Sequence, residues 1–210
     1  MVDPDGMQAI ENDDEIITNS KGHVIQVIPN DKENTVYQYN EDKTKLAKVE
    51  DLKEETKKAE GVKKGDIIGE DGELFRMVPN IKILRKDIDL NGEDKYGHWW
   101  VEIGKSESYG WWPKEAVGLV DTVSGVEGEL NGQTNFGGTP TQDPHQGDRS
   151  NGTNFFNVYT TNGLQTKGVD NKIRDFAKKY SGQWSYPTGQ NCHSFQDSFL
   201  EKLNLTINPN

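Results

Sequence analysis

One cysteine, Cys192, and four histidines, His23, His98, His145 and His193, are the side chains of this chain best suited to nucleophilic chemistry. A thiol attacks a carbonyl carbon once a base makes it a thiolate, and a histidine within hydrogen-bond reach is the usual base. Cys192 stands in Gly189-Gln190-Asn191-Cys192-His193-Ser194-Phe195, where Gly189 interrupts the chain and Asn191 has the side chain of a helix N-cap. Phe195, Phe199, Leu200 and Leu203 recur at helical spacing, so the cysteine is expected in the first turn of a helix. The free N–H groups and the dipole of such a turn favour a thiolate.

His193 adjoins the cysteine, yet consecutive helical side chains diverge by about 100° and do not face each other. His145 follows Asp143-Pro144 in a loop and reads as a solvated turn residue, and nothing singles out His23. His98 opens Tyr96-Gly97-His98-Trp99-Trp100-Val101-Glu102-Ile103, a strand by composition and a stiff platform for an imidazole. It is the expected base. A third group should orient the ring. Glu102 shares the strand face of His98 but lies about 13 Å along it. The paired strand offers Glu107 and Ser108, and Glu107 is the expected third member. The alternative for the cysteine is inert packing in a non-enzymatic, tryptophan-lined binding module.

These residues need a hairpin and a helix to hold them. Gly104-Lys105-Ser106 is a turn, and Glu107-Ser108-Tyr109-Gly110-Trp111-Trp112-Pro113 is the antiparallel mate of the histidine strand. Four of the five tryptophans lie in this hairpin, and Trp99, Trp100, Tyr109 and Trp111 are the expected walls of a substrate cleft. Glycines and amides dominate Gly125 to Gly152, a loop whose length suits a gate. Phe155-Tyr159 reads as a strand, and Asp170 caps a helix through Ile173, Phe176 and Tyr180. Upstream, residues 8–90 read as a charged, β-rich extension: Glu15-Thr18 and His23-Ile28 as a hairpin, then short strands at Thr35-Tyr39, Asp66-Gly69, Leu74-Val78 and Ile81-Leu84. The Lys/Glu-dense stretch from Lys43 to Lys64 is a solvated helix or linker.

A hydrophobic share of 31% and a net charge of -11 bound the rest. The charge argues against nucleic acid as the main partner. No apolar run approaches the roughly 20 residues of a membrane span, and the start lacks the regions of a signal peptide. With a single cysteine, neither an intrachain disulfide nor a thiolate zinc cluster can form, and no metal or cofactor is expected.

Two stretches carry a family resemblance. Val2-Asp3-Pro4-Asp5-Gly6-Met7 resembles the motif that closes the core of bacterial Rhs-repeat (YD-repeat) proteins, after which a variable C-terminal toxin begins. Gly97-His98-Trp99-Trp100-Val101-Glu102-Ile103, followed by Asn191-Cys192-His193-Ser194-Phe195, resembles the permuted papain-like cysteine hydrolases, namely the lecithin:retinol acyltransferase-like group and its cell-wall peptidase relatives. The second histidine that the acyltransferase-like group often carries is absent from Tyr109-Gly110-Trp111-Trp112. The resemblance implies an α+β, permuted papain-like fold: an antiparallel sheet packed on a helix with the cysteine at its N-terminus, over residues 91–210, with residues 1–7 ending the Rhs core. It implies Cys192 as nucleophile, His98 as base, and Asn191, His193 and Gln190 around the thiol or the oxyanion. The implied protein is an antibacterial toxin carried without a signal peptide by a type VI or similar secretion system into a target bacterium. Its substrate would be a protein or cell-wall peptide, and its partners the Rhs core and a cognate immunity protein. Deamidation or transamidation of a target protein is the alternative on the same fold.

Overall fold

The computed structural model describes residues 13–59, 61–90, 93–161, 165–187 and 189–209, so the Val2–Met7 motif lies outside the described residues. The chain forms an α+β protein made mostly of strands. It divides into two units between Met77 and Val78; the first also takes Tyr159–Gln165 and the chain from Asn208, and the second comprises Val78–Val158 and Thr166–Ile207.

In the first unit, β1 (Asp13–Thr18) pairs antiparallel with both arms of the long β2 (Val24–Tyr39): Ile17 faces Gln26 on one side and Tyr37 on the other. β3 (Leu46–Lys48), the four-residue α1 (Glu54–Lys57) and β4 (Ile67–Ile68) complete it around Ile16, Val24, Val36, Leu52, Val62, Ile68 and Leu74. The Lys43–Lys64 stretch therefore folds as a short strand and one helical turn rather than a continuous helix, as its few large apolar residues would allow.

The second unit holds the sheet that matters for chemistry. The segments Leu74-Val78 and Ile81-Leu84 are parts of one strand of 17 residues, β5 (Leu74–Leu90), which continues across the division. Then follow β6 (Glu93–Ile103), β7 (Glu107–Pro113), the short α2 (Leu119–Ser124), β8 (Val126–Leu130), β9 (Thr153–Thr160), α3 (Val169–Lys179), β10 (Gln183–Trp184), α4 (Cys192–Lys202) and β11 (Leu205–Thr206). The sheet order is β10-β8-β7-β6-β5-β9-β11, and the pairs β10–β8, β8–β7, β7–β6 and β6–β5 are antiparallel. β6 is thus paired along both edges, Lys86 facing His98 on one side and Gly110 facing Trp100 on the other.

Strand alternation sorts the hairpin β6–β7 into two faces. Val101, Ile103, Tyr109 and Trp111 join the core with Ile83, Val158, Val169, Ile173, Phe195 and Phe199, so α3 and α4 pack on this face. Both phenylalanines of α4 are fully buried, each contributing about 1.5–3 kcal/mol. His98, Trp100, Glu102, Ser108, Gly110 and Trp112 occupy the alternate positions, under the loop that follows β8.

Candidate active site

α4 starts at Cys192 because Asn191 caps it. The Asn191 side-chain oxygen accepts from the N–H groups of His193 (3.0 Å) and Ser194 (3.1 Å), and the Asn191 N–H donates to Ser194 Oγ (2.8 Å). Asn191 Nδ2 is tied to the Gly189 carbonyl (3.0 Å), so the whole turn before the cysteine is fixed. The Cys192 thiol is buried and donates to the Gly97 carbonyl at 3.6 Å, which draws it to the strand of His98. The Cys192 thiol and the His98 imidazole line one cavity, and Cys192 is among the groups that raise the imidazole's pKa. The Cys192 N–H belongs to the first turn of α4, where backbone donors point out of the helix end, the geometry that serves an oxyanion.

The group that holds the imidazole is Asp143. Its Oδ2 lies 2.9 Å from His98 Nε2 and accepts from Trp112 Nε1 at 2.7 Å, while Oδ1 accepts from the His145 N–H at 2.9 Å. Nε2 is therefore engaged by the carboxylate, which leaves Nδ1 as the other ring nitrogen. Asp143 is carried by a loop that bonds along the hairpin: its N–H donates to Ser108 Oγ (2.8 Å), the Ser108 N–H donates to the Thr141 carbonyl (2.9 Å), and Gln142 reaches the Ser106 carbonyl (2.8 Å). Asn131, buried and at a positive φ of 62°, exchanges bonds with the Gly110 backbone and anchors the loop's start. Gly110 lies directly under the pair, and a β-carbon there would stand 2.2 Å from Asp143 Oδ2.

The electrostatics follow from burial and pairing. Burial opposes a charged imidazole, but the Asp143 charge and hydrogen bond, with the contribution of Cys192, outweigh it and push the His98 pKa up to about 10. Burial likewise opposes the Asp143 carboxylate, and the His98 charge with the donors from His145 and Trp112 holds its pKa well below the usual range. His98 is thus held as an imidazolium at neutral pH by its Asp143 partner.

Glu107, the expected orienting carboxylate, stands elsewhere. It faces Ile103, five residues from His98 and about 16 Å along the strand. Its oxygens accept from Arg174 Nε (2.8 and 2.9 Å) and from the Tyr109 hydroxyl (2.5 Å), which makes it a strut between the hairpin and α3. Ser108, the other polar choice, holds the Asp143 backbone.

A cavity of about 490 Å³ opens beside the thiol, lined by Cys192, His98 and His145 and walled by Trp111, Trp112, Phe136, Trp184 and Tyr186. Of the four expected cleft aromatics only Trp111 belongs to it. Trp100 is buried beneath His98, with rings 5.7 Å apart and nearly parallel; Tyr109 is core. Trp99 points to the other face, where it stacks on His193 (5.3 Å) and Phe156 (5.5 Å). His193, more than half exposed, also lies 3.5 Å from Asp197. The Gln190 side chain rests against Gly182 on the groove between α3 and α4, away from this cavity. The sequence gives no reading of Asp143, leaves Trp112 out of the cleft and sets His145 down as a solvated turn residue; the one available signal is an Asp-Pro-His triplet inside a glycine-rich loop.

His98, Asp143 and His145 offer ligand atoms within 4.8 Å of one another, a set of the kind that holds zinc. Both Asp143 oxygens, however, already accept hydrogen bonds, and an imidazolium His98 would have to give up its proton first. No protein-family model, no curated protein and no solved structure matches this chain.

Proposed function

We propose that this chain is a cysteine hydrolase of permuted papain-like fold, acting through Cys192, His98 and Asp143, and serving as the toxin of an Rhs-type polypeptide. The observation that carries the reading is the buried His98–Asp143 pair sharing one cavity with a thiol at a capped helix N-terminus.

In the reaction, the Cys192 thiolate attacks the substrate carbonyl carbon, and the oxyanion so formed takes a hydrogen bond from the Cys192 N–H. Collapse of the tetrahedral adduct breaks the bond to the leaving amine or alkoxide, which receives the His98 proton, and a thioester remains. Neutral His98 then takes a proton from water as the water attacks the thioester, and Cys192 leaves as the thiolate. Asp143 keeps the ring oriented and its positive charge stabilised throughout. The aromatic walls of the cavity suit a substrate with an apolar group next to the scissile carbonyl, and suit a bare glutamine carboxamide less well. Hydrolysis is therefore favoured here over deamidation.

The toxin role rests on the resemblance of Val2–Met7 to an Rhs closing motif, and it brings with it delivery by a dedicated secretion system and an immunity protein that blocks the cavity. Expression of the full chain in a susceptible bacterium tests both parts. Wild type should arrest growth, and folded Cys192→Ala and His98→Ala variants should each lose that effect. Growth arrest retained by a folded Cys192→Ala variant would refute the reading.

A further inference from the structure

Glu102 is a carboxylate only 2% exposed, on the strand and face of His98 but two alternations away. An unpaired charge in such a place costs several kcal/mol, and the chain satisfies this one fully. Oε1 accepts from Trp100 Nε1 (3.2 Å), the Gly147 N–H (2.8 Å) and an Arg149 guanidinium nitrogen (3.3 Å), and Oε2 accepts from the other Arg149 nitrogen at 2.7 Å.

These partners belong to the two halves of the His98–Asp143 pair. Trp100 lies between Glu102 and His98, its ring nearly parallel to the imidazole, and its indole also meets His145 at 5.4 Å. Gly147 and Arg149 are the segment of the loop just after Asp143 and His145. Lys86, which faces His98 from β5, reinforces the same segment through Asp148 (3.1 Å) and Ser150. One carboxylate therefore grips the platform of the base and the loop of its orienting acid together.

We infer that Glu102 is a positioning residue: by holding Trp100 and the Gly147–Arg149 segment at once, it sets the His98 imidazole against the Asp143 carboxylate. The inference rests on the cysteine-hydrolase reading above. The charged and titratable groups facing His98 are Asp143 and His145 from the loop, Cys192 from α4 and Lys86 from β5, so Glu102 acts on the imidazole through position and not by contact.

The test is the pH profile of Cys192 alkylation by iodoacetate on the full chain, an anionic probe whose reaction needs the thiolate and is assisted by the imidazolium. Wild type should give a bell whose alkaline limb reports His98. In Glu102→Ala that limb should move down by about one pH unit, a roughly tenfold slower reaction on the alkaline side. Glu102→Gln keeps acceptors for Trp100 and Gly147 and should recover most of the profile. Arg149→Met removes a half-exposed side chain without opening a buried hole and should shift the limb in the same direction, by less. A purely structural Glu102 would lower the melting temperature and leave the limb where it is. An unmoved limb in folded Glu102→Ala, or in Arg149→Met where the alanine variant does not fold, overturns the inference. A wild-type thiol with no bell at all overturns instead the cysteine-hydrolase reading beneath it.

Discussion

Replacing Gly110 by alanine probes the site through the smallest possible insertion. The added β-carbon would lie 2.2 Å from Asp143 Oδ2, 3.2 Å from its Cγ and 3.0 Å from His98 Nε2. Ordinary carbon contacts begin above 3 Å, so the carboxylate must retreat by roughly 1 Å. It has little room to do so, being fully buried and tied to Trp112 at 2.7 Å and the His145 N–H at 2.9 Å. Retreat lengthens the 2.9 Å bond to His98 beyond hydrogen-bonding distance. A displacement of this size at a reacting group costs about 10²-fold in rate, and overpacking costs about 1–3 kcal/mol of stability. Gly110→Ala should therefore fold, melt several degrees lower, and lose about two orders of magnitude in iodoacetate alkylation of Cys192 near neutral pH. Gly118→Ala is the control, since its β-carbon would meet only Asp121 at 3.5 Å, an ordinary contact. A folded Gly110→Ala protein with wild-type alkylation would show that the Asp143–His98 bond does not govern the thiol.

Glu107→Gln separates strut from site: it should cost about 1 kcal/mol, or 2–4 °C in melting temperature, through its bonds to Arg174 and Tyr109, and leave Cys192 alkylation unchanged. A loss of alkylation as large as that of Gly110→Ala would restore Glu107 to the catalytic group. The stability supplied by the His98–Asp143 pair should also depend on pH in a defined sense. The folded pKa of His98 is raised from 6.5 to about 10, so its contribution is complete below about pH 6.5 and is lost as pH climbs through 10. Asp143 is shifted down, so its contribution is complete above the ordinary carboxylate range and is lost only in stronger acid. The melting-temperature gap between wild type and His98→Gln should accordingly be widest between about pH 5 and 6.5 and narrow by several degrees toward pH 10; a gap constant over that range would mean the pair is not charged as described.

The parts of the site written in local sequence were legible. The Asn191 cap, the apolar stripe of α4 and the aromatic strand of His98 each follow from short-range pattern, because cap and stripe form from residues within a few positions of one another. Asp143 was not, since it lies in a segment with no periodicity that takes its shape from bonds to Ser106, Ser108 and Gly110 on the hairpin. Only once β7 is paired with β6 do those acceptors and donors exist in one row. Glu107 misled for the same reason in reverse: proximity in the hairpin favoured it, but the register sets it at the turn end, and Arg174, its partner, comes from a helix far along the chain. The single strand β5 read as two short ones, Leu74-Val78 and Ile81-Leu84, on either side of Pro79-Asn80. The structure accommodates it with Asn80 at a positive φ of 62° while the strand runs on.

The alternation of the hairpin also explains how a chain with a mean hydropathy of -0.88 supports a buried site. One face spends the scarce apolar residues on a core shared with α3 and α4. The other buries His98, Glu102 and Ser108, and instead of apolar contacts it needs donors and acceptors in matched number. A glycine-rich loop is suited to supply them, because residues with little or no side chain bring backbone N–H groups close to carboxylates, as Gly147 does for Glu102. The same closeness makes the cover intolerant of bulk: a β-carbon at Gly138 would fall 1.7 Å from the Asn131 carbonyl, just where the loop is anchored to Gly110. The glycine and amide content that looks like disorder in the sequence is, on this face, what allows three ionisable groups to be buried and paired in one place.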